Sequence, residues 1–232
     1  MRNGHEAIDR RTAVTVLGWL ALGAVATTWT STPSAAQTVC TLTPEQMEGP
    51  YYLDLAKVRQ DLTEGKPGVP LRLTLRIREA SPSCAPIAKA SVDVWHCDAL
   101  GIYAGYEGAA VAPTHVKPVN DKTFLRGTQV TDAEGGVQFR TIYPGWYTGR
   151  TTHIHVKVHV GTTAATTQLY FPEDVTIAVY RRPPYNQHPG RDTSNDTDVA
   201  LKGVSEKPLV IWNISSDGDG YLATATIAIK KS

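Results

Sequence analysis

Thr141–Val158 reads T-I-Y-P-G-W-Y-T-G-R-T-T-H-I-H-V-K-V, a Pro/Gly turn that runs into a β-strand. Its end, Ile154-His155-Val156-Lys157-Val158, has the β-branched alternation of a strand. Side chains of a strand alternate between faces, so His153 and His155 share one face while Ile154 and Val156 share the other. Two imidazoles roughly 6.6 Å apart at Cα can chelate one metal ion. A bare H-x-H is more often a pair of half-exposed strand histidines, so the surrounding sequence has to decide.

Working outward, the same alternation recurs. Leu71–Arg78 alternates apolar and polar residues and predicts a half-buried antiparallel strand. The cationic and polar residues of its outer face read as solvated. Residues 90–96 form the next strand. Asp98–Tyr103 reads as a tight turn opening another short strand. Thr131–Phe139 repeats the device, both with the D-x-x-G form of hairpins in transthyretin-like sandwiches. Residues 106–122 are a long polar loop over one end of the sheets. Gln168–Phe171 follows the histidine strand, and residues 172–198 are loop-like with room for a short helix. Leu209–Trp212 and Tyr221–Ile229 predict a closing hairpin across Ser216–Gly220. With 19 Gly and 15 Pro among 232 residues, the pattern predicts an all-β, antiparallel β-sandwich of the transthyretin/Ig-like kind with long active-site loops. The D-x-D-G fragment at residues 217–220 is a hairpin turn, because a calcium loop needs more acidic oxygens.

The net charge of +1 leaves no electrostatic footprint for nucleic acid or an anionic membrane. Residues 1–36 read as an export signal. Arg10-Arg11 precede an apolar run too short to span a bilayer, and Ser34-Ala35-Ala36 offers a small-residue cleavage site. The paired arginines fit a twin-arginine signal, and Asp9 and Ala13-Val14 keep the general secretory route open. The expected product is a bacterial periplasmic or extracellular protein without a stable membrane anchor, its single domain spanning residues 37–232. Cys40, Cys84 and Cys97 allow one disulfide there, and the strand between Cys84 and Cys97 favours Cys40–Cys84.

Of seven histidines, His5 leaves with the signal, and His115 and His188 sit in polar loops and are expected to face solvent. His159 keeps the parity of His155 but lies roughly 13 Å further along the strand, too far to share the ion unless the strand bends. His96 has no zinc-ligand spacing. His153 and His155 stand out as the pair.

Taken together, Tyr103 in W-H-C-D-A-L-G-I-Y, then Y-P-G-W-Y-T-G-R-T-T-H-I-H, then Q-L-Y-F, resemble the intradiol ring-cleavage dioxygenases, the family of catechol 1,2-dioxygenase and protocatechuate 3,4-dioxygenase. The resemblance runs from about Glu48 to about Phe171. It implies a mononuclear non-haem Fe(III) held by Tyr103, Tyr147, His153 and His155. It implies that Arg150 is the active-site arginine and that Gln168 faces the substrate ring. It also places Gly49, Pro50 and Tyr51 in an arm lining the pocket mouth. Tyr143 competes with Tyr147 for the second tyrosine, and the family's P-G-x-Y spacing selects Tyr147.

The implied chemistry suits these residue types. Phenolate is a hard anionic donor for a hard cation, and direct binding deprotonates a phenol whose free pKa is about 10. Two phenolates and a hydroxide neutralise Fe(III), while neutral imidazoles add no charge. A catechol chelating as a dianion can replace hydroxide and Tyr147, which then accepts a proton. With O2 the resemblance implies ring opening between the hydroxyl-bearing carbons to a cis,cis-muconate-type diacid. A homodimer is compatible with family assembly near the N-terminal arm, although this chain has no obvious helical dimerisation segment. Two other readings stay in view: a non-catalytic transthyretin-like secreted binding module, and a zinc hydrolase, which would want an acidic base near H-x-H.

Overall fold

The computed structural model describes residues 40–107, 117–202, 211 and 213–230. The expected export signal with His5 and Arg10-Arg11 lies outside the described residues, as do His115, Leu209, Val210 and Trp212.

Eight strands form two four-stranded sheets. The first contains β1 (Pro70–Glu79), β4 (Gly136–Ile142), β7 (Asn213–Asp217) and β8 (Gly220–Ile229), in the order β4-β1-β8-β7. The second contains β2 (Ser91–Trp95), β3 (Arg126–Val130), β5 (His153–Val160) and β6 (Thr163–Tyr170), in the order β3-β2-β5-β6. Period-2 alternation makes the core. Leu71, Leu73, Leu75, Ile77 and Phe139 of the first sheet pack into one apolar cluster with Val92, Val94, Ile154, Val156 and Val158 of the second. This is the expected all-β sandwich.

Local expectations fare less evenly. β1 pairs antiparallel with β4 but parallel with β8. β1 and β8 are far apart in the chain, so no tight turn between them dictates their relative direction. The Asp132–Gly135 turn is not a hairpin, because β3 and β4 belong to different sheets. Asp132 does cap the turn, accepting the Glu134 and Gly136 amides, but the chain uses it to cross between layers. Asp98–Tyr103 opens no strand and stays irregular. Leu209, Val210 and Trp212 of the expected strand lie outside the described residues, among which the first strand of the closing hairpin is Asn213–Asp217. That polar strand has a single partner, and polarity suits an uncapped edge. Residues 172–198 carry α1 (Glu173–Tyr180) and a 3-10 turn at Tyr185–Gln187, and α2 (Val199–Lys202) follows.

An arm from Cys40 to Leu62 crosses the outer face of the second sheet. The Gln46 amide donates to the Thr166 carbonyl on β6, and Tyr52 Oη donates to Asp93 on β2. Arg59 N–H then bonds the Thr128 carbonyl on β3, and Leu62 N–H bonds the Arg140 carbonyl on β4 of the other sheet. The arm's start is tied by a Cys40–Cys84 disulfide, with Cα atoms 5.0 Å apart, as the spacing favoured. Cys97 is free and buried. Among the described residues no helix is long and apolar enough to cross a membrane.

Candidate metal centre

The roofed outer face of the second sheet carries the site. Directly opposed residues of neighbouring strands share a face, and the register aligns Arg126 with Trp95, Trp95 with His155, and His155 with Gln168. One row thus crosses all four strands, and His153 opposite Tyr170 forms its neighbour. Ile154 and Val156 point the other way into the core, so the same alternation that builds the sandwich turns both histidines towards the arm.

Loops bring the tyrosines. Asp98 accepts the amides of Leu100 and Ile102, folding the segment that carries Tyr103. Gly101, at φ +84°, permits contact with the next loop, since a Cβ there would sit 2.1 Å from the Trp146 carbonyl oxygen. Past Trp146 the chain turns back at Tyr147, with Arg150 N–H on the Tyr147 carbonyl at 3.2 Å.

The donor atoms converge. His153 Nε2 lies 3.1 Å from His155 Nε2, 3.3 Å from Tyr147 Oη and 3.5 Å from Tyr103 Oη. Ligands about 2.1 Å from one ion stand roughly 3.0–3.4 Å apart, so the spacing fits donors arranged round one cation. His153 Nδ1 faces the Thr151 carbonyl at 2.6 Å, which can only accept. Nδ1 therefore carries the proton, and the Nε2 lone pair points into the cluster. His155 stacks on Trp95 at 4.8 Å, and its buried Nδ1 has no partner. Among the described residues no group of three or more His, Cys, Asp or Glu could hold a metal, and the hydroxyls beside His153 Nε2 are those of Tyr147 and Tyr103.

Electrostatics agree with that chemistry. Burial, followed by the nearby charge of Arg150, holds both imidazoles well below their ordinary range and keeps them neutral. Burial pushes the Tyr103 phenol well above its usual value, and Tyr147 up to about 12 against the opposing pull of Arg150. Without a cation both phenols stay protonated; a bound cation supplies what ionises them.

The other expected residues gather at the same place. Arg150 extends Nη1 to Tyr147 Oη at 3.5 Å and Nη2 to Gln168 Oε1. Gln168 is fully enclosed and donates through Nε2 to the Met47 carbonyl at 2.8 Å. Gly49, at φ +75°, passes over His155, and a Cβ there would approach its Cε1 to 3.4 Å. Tyr51 stacks on Tyr103 with centroids 4.6 Å apart. Tyr143 stands elsewhere, its hydroxyl bonded to Thr176 at 2.7 Å. His159 bonds Asp93 at 3.0 Å, away from the cluster. His188 departs from expectation: it is half-buried, stacked on Trp146 at 4.3 Å, because its loop folds back over the tyrosine turn.

Sequence reasoning passed over the supporting shell. Asp198 is fully buried and accepts from Arg150 Nε at 3.0 Å and from the Thr151 amide at 2.8 Å. Its one available signal was that an enclosed arginine needs a counter-ion. Trp95 and Arg126 join the row through register alone, which no local motif encodes.

A β-sandwich with two imidazoles and two phenols gathered under an arm defines a class, and comparison with known proteins agrees with it. The dioxygenase family model matches residues 47–181. An intradiol ring-cleavage dioxygenase from Tetranychus urticae superposes with a TM-score of 0.77 at 34% identity, covering 82% of this chain and 95% of that one. The dioxygenase domain of a dioxygenase–carbohydrate-binding protein fusion from Streptomyces sp. SirexAA-E gives 0.60 at 32% identity, covering 82% and 99%. The protocatechuate 3,4-dioxygenase beta chain of Burkholderia cepacia is 32% identical over 139 residues, 54% of this chain and 57% of that protein. The chain spans about half the length of the curated relatives it matches. It belongs to the intradiol ring-cleavage dioxygenase family.

Proposed function

We propose that this protein binds one non-haem ferric ion through Tyr103, Tyr147, His153 and His155. With O2 it opens the ring of a catechol-type aromatic between the hydroxyl-bearing carbons, giving a cis,cis-muconate-type diacid. The gathering of His155 Nε2, Tyr147 Oη and Tyr103 Oη at 3.1–3.5 Å from His153 Nε2 carries the reading. When bound, the ferric ion supplies Lewis acidity and an electron sink that make a chelated catechol reactive towards O2.

The chain's own groups do the rest. Tyr147 lies at the turn, partly exposed, whereas Tyr103 is enclosed beneath Tyr51. Tyr147 is therefore the ligand free to give up its place and hold a catechol proton on Oη. Arg150 stays cationic: burial opposes its charge, but Tyr147 and Asp198 outweigh burial and raise its pKa. From 3.5 Å it steadies negative charge at Tyr147 Oη and at the substrate ring. Gln168, clamped between Arg150 and the Met47 carbonyl, fixes the wall facing the ring. The arm at Gly49–Tyr51 closes the site from water.

An export leader at residues 1–36 belongs to the same proposal and points to an aromatic met outside the cytoplasm. An oxygen-electrode assay of the iron-loaded protein over a panel of catechols tests the function. Oxygen uptake with formation of a muconate-type diacid is expected. Absence of uptake with every catechol, in protein carrying stoichiometric iron, would overturn it.

A further inference from the structure

Arg126 ends the row that continues through Trp95, His155 and Gln168, and it is only 3% exposed. Its Nη1 donates to the Tyr51 carbonyl at 2.6 Å and its Nη2 to the Ala104 carbonyl at 2.9 Å. Nε is buried without a partner. No carboxylate pairs with it among the described residues. A buried guanidinium lacking an anion is expensive, and carbonyl dipoles balance its charge only in part. What surrounds it is phenol. Its Cζ lies 5.9 Å from the Tyr103 ring centroid and 5.7 Å from that of Tyr106.

The two carbonyls it grips are also telling. One belongs to Tyr51, whose ring stacks on Tyr103; the other belongs to Ala104, next to Tyr103 in the chain. The fork thus joins the arm and the tyrosine loop on either side of one phenol. Arg150, by contrast, has its charge matched by Asp198, and it serves Tyr147.

We propose that Arg126 is a positioning residue for the metal centre, its unpaired positive charge balancing the anionic oxygen that Tyr103 presents when it ligates a cation. This rests on the ligand set proposed above. A mere staple between two carbonyls needs donors but not a charge, so the two roles separate by substitution. Arg126→Lys keeps the charge and loses the fork; Arg126→Gln keeps a donor and loses the charge.

The readouts are the visible tyrosinate-to-iron absorption of the iron-loaded protein and the melting temperature of the metal-free protein. A nearby cation stabilises the donor phenolate, so its removal raises the donor level and moves the band to longer wavelength. Arg126→Gln should show that red shift and Arg126→Lys should not, although both melt lower than the wild type. A band unmoved in a folded Arg126→Gln overturns the inference and leaves the ligand set standing. So does a band displaced in Arg126→Lys, which keeps the idea falsifiable should the glutamine variant fail to fold. A wild-type protein with iron but no such band overturns the ligand set, and this inference with it.

Discussion

The outer faces of β1 and β5 begin from the same sequence pattern and end in opposite environments. On β1, Arg72 and Arg76 are exposed, while Leu71, Leu73, Leu75 and Ile77 fill the core. On β5, Ile154, Val156 and Val158 fill the same core, yet His153 and His155 on the other face are 2% exposed. Alternation declares that a strand has two faces; it does not say whether the outer one meets water. The arm and the loops at residues 98–107 and 143–152 make the difference, by roofing one sheet and leaving the other bare. Buried polar groups under such a roof must be paired or held ready for a ligand, whereas those on the bare sheet meet water.

The sharpest break in the comparison lies under the roof. Tyr147→Phe should keep iron, since three protein ligands and solvent remain, but lose about 10²- to 10⁴-fold in turnover with the proton-accepting oxygen gone. Oxygen uptake and visible spectra with and without catechol check this, and wild-type turnover would remove Tyr147 from its role. Beneath both roofed and bare faces runs the shared core, where Leu73 is fully buried opposite Phe139 and Ala223. Leu73→Ala should cost about 2–5 kcal/mol in denaturant unfolding while leaving the visible spectrum in place.

A pH experiment sharpens the contrast. His96 is wholly enclosed, its Nδ1–H on the Cys97 carbonyl and its Nε2 accepting from Thr141, and burial lowers its pKa to about 4. An unfolded histidine titrates near 6.5, so between the two values the unfolded chain binds a proton that the folded chain refuses. Stability from this group is complete above about pH 6.5 and is lost as pH falls towards 4, on the order of 3 kcal/mol in all. Urea titrations between pH 7.5 and 4.5 should show the decline, and His96→Gln should make it shallower, leaving the part contributed by His153 and His155, whose pKa values burial also lowers.

These contrasts also explain what could be read in advance. Period 2 is local, so the shared face of His153 and His155 and the inner rows of β1 and β5 were legible. The family's motif order added Tyr103, Tyr147, Arg150 and Gln168, and all four meet at one place. Register and layer are not local. Asp198 reaches Arg150 from 48 residues away, and Arg126 meets Tyr51 from 75. The Asp132–Gly135 turn has hairpin chemistry yet crosses between sheets, because the residues of a turn do not choose the sheet its next strand will join. His188 looked solvated for the same reason: its cover, Trp146, comes from 42 residues earlier.

The smallest effect isolates the roof itself. Arg76 on β1 and Lys157 on β5 are both basic residues on outer strand faces. Arg76 is exposed, and replacing such a surface side chain with alanine stays within about 0.5 kcal/mol. Lys157 is half-buried, ion-paired with Glu48 of the arm at 2.6 Å, with its ammonium 4.2 Å from the Tyr52 ring centroid. Partial burial strengthens the pair beyond the exposed case, and the cation–π contact adds about 0.5–1 kcal/mol. Lys157→Ala should therefore cost about 1 kcal/mol and loosen the arm, while Arg76→Ala should be silent. Amide exchange at Glu48–Tyr52 would report the loosening, because those amides belong to the roof rather than to a sheet. Equal exchange in the two variants would mean that the arm's other bonds to the sheet, among them Tyr52 to Asp93 and Gln168 to the Met47 carbonyl, hold it without help from Lys157.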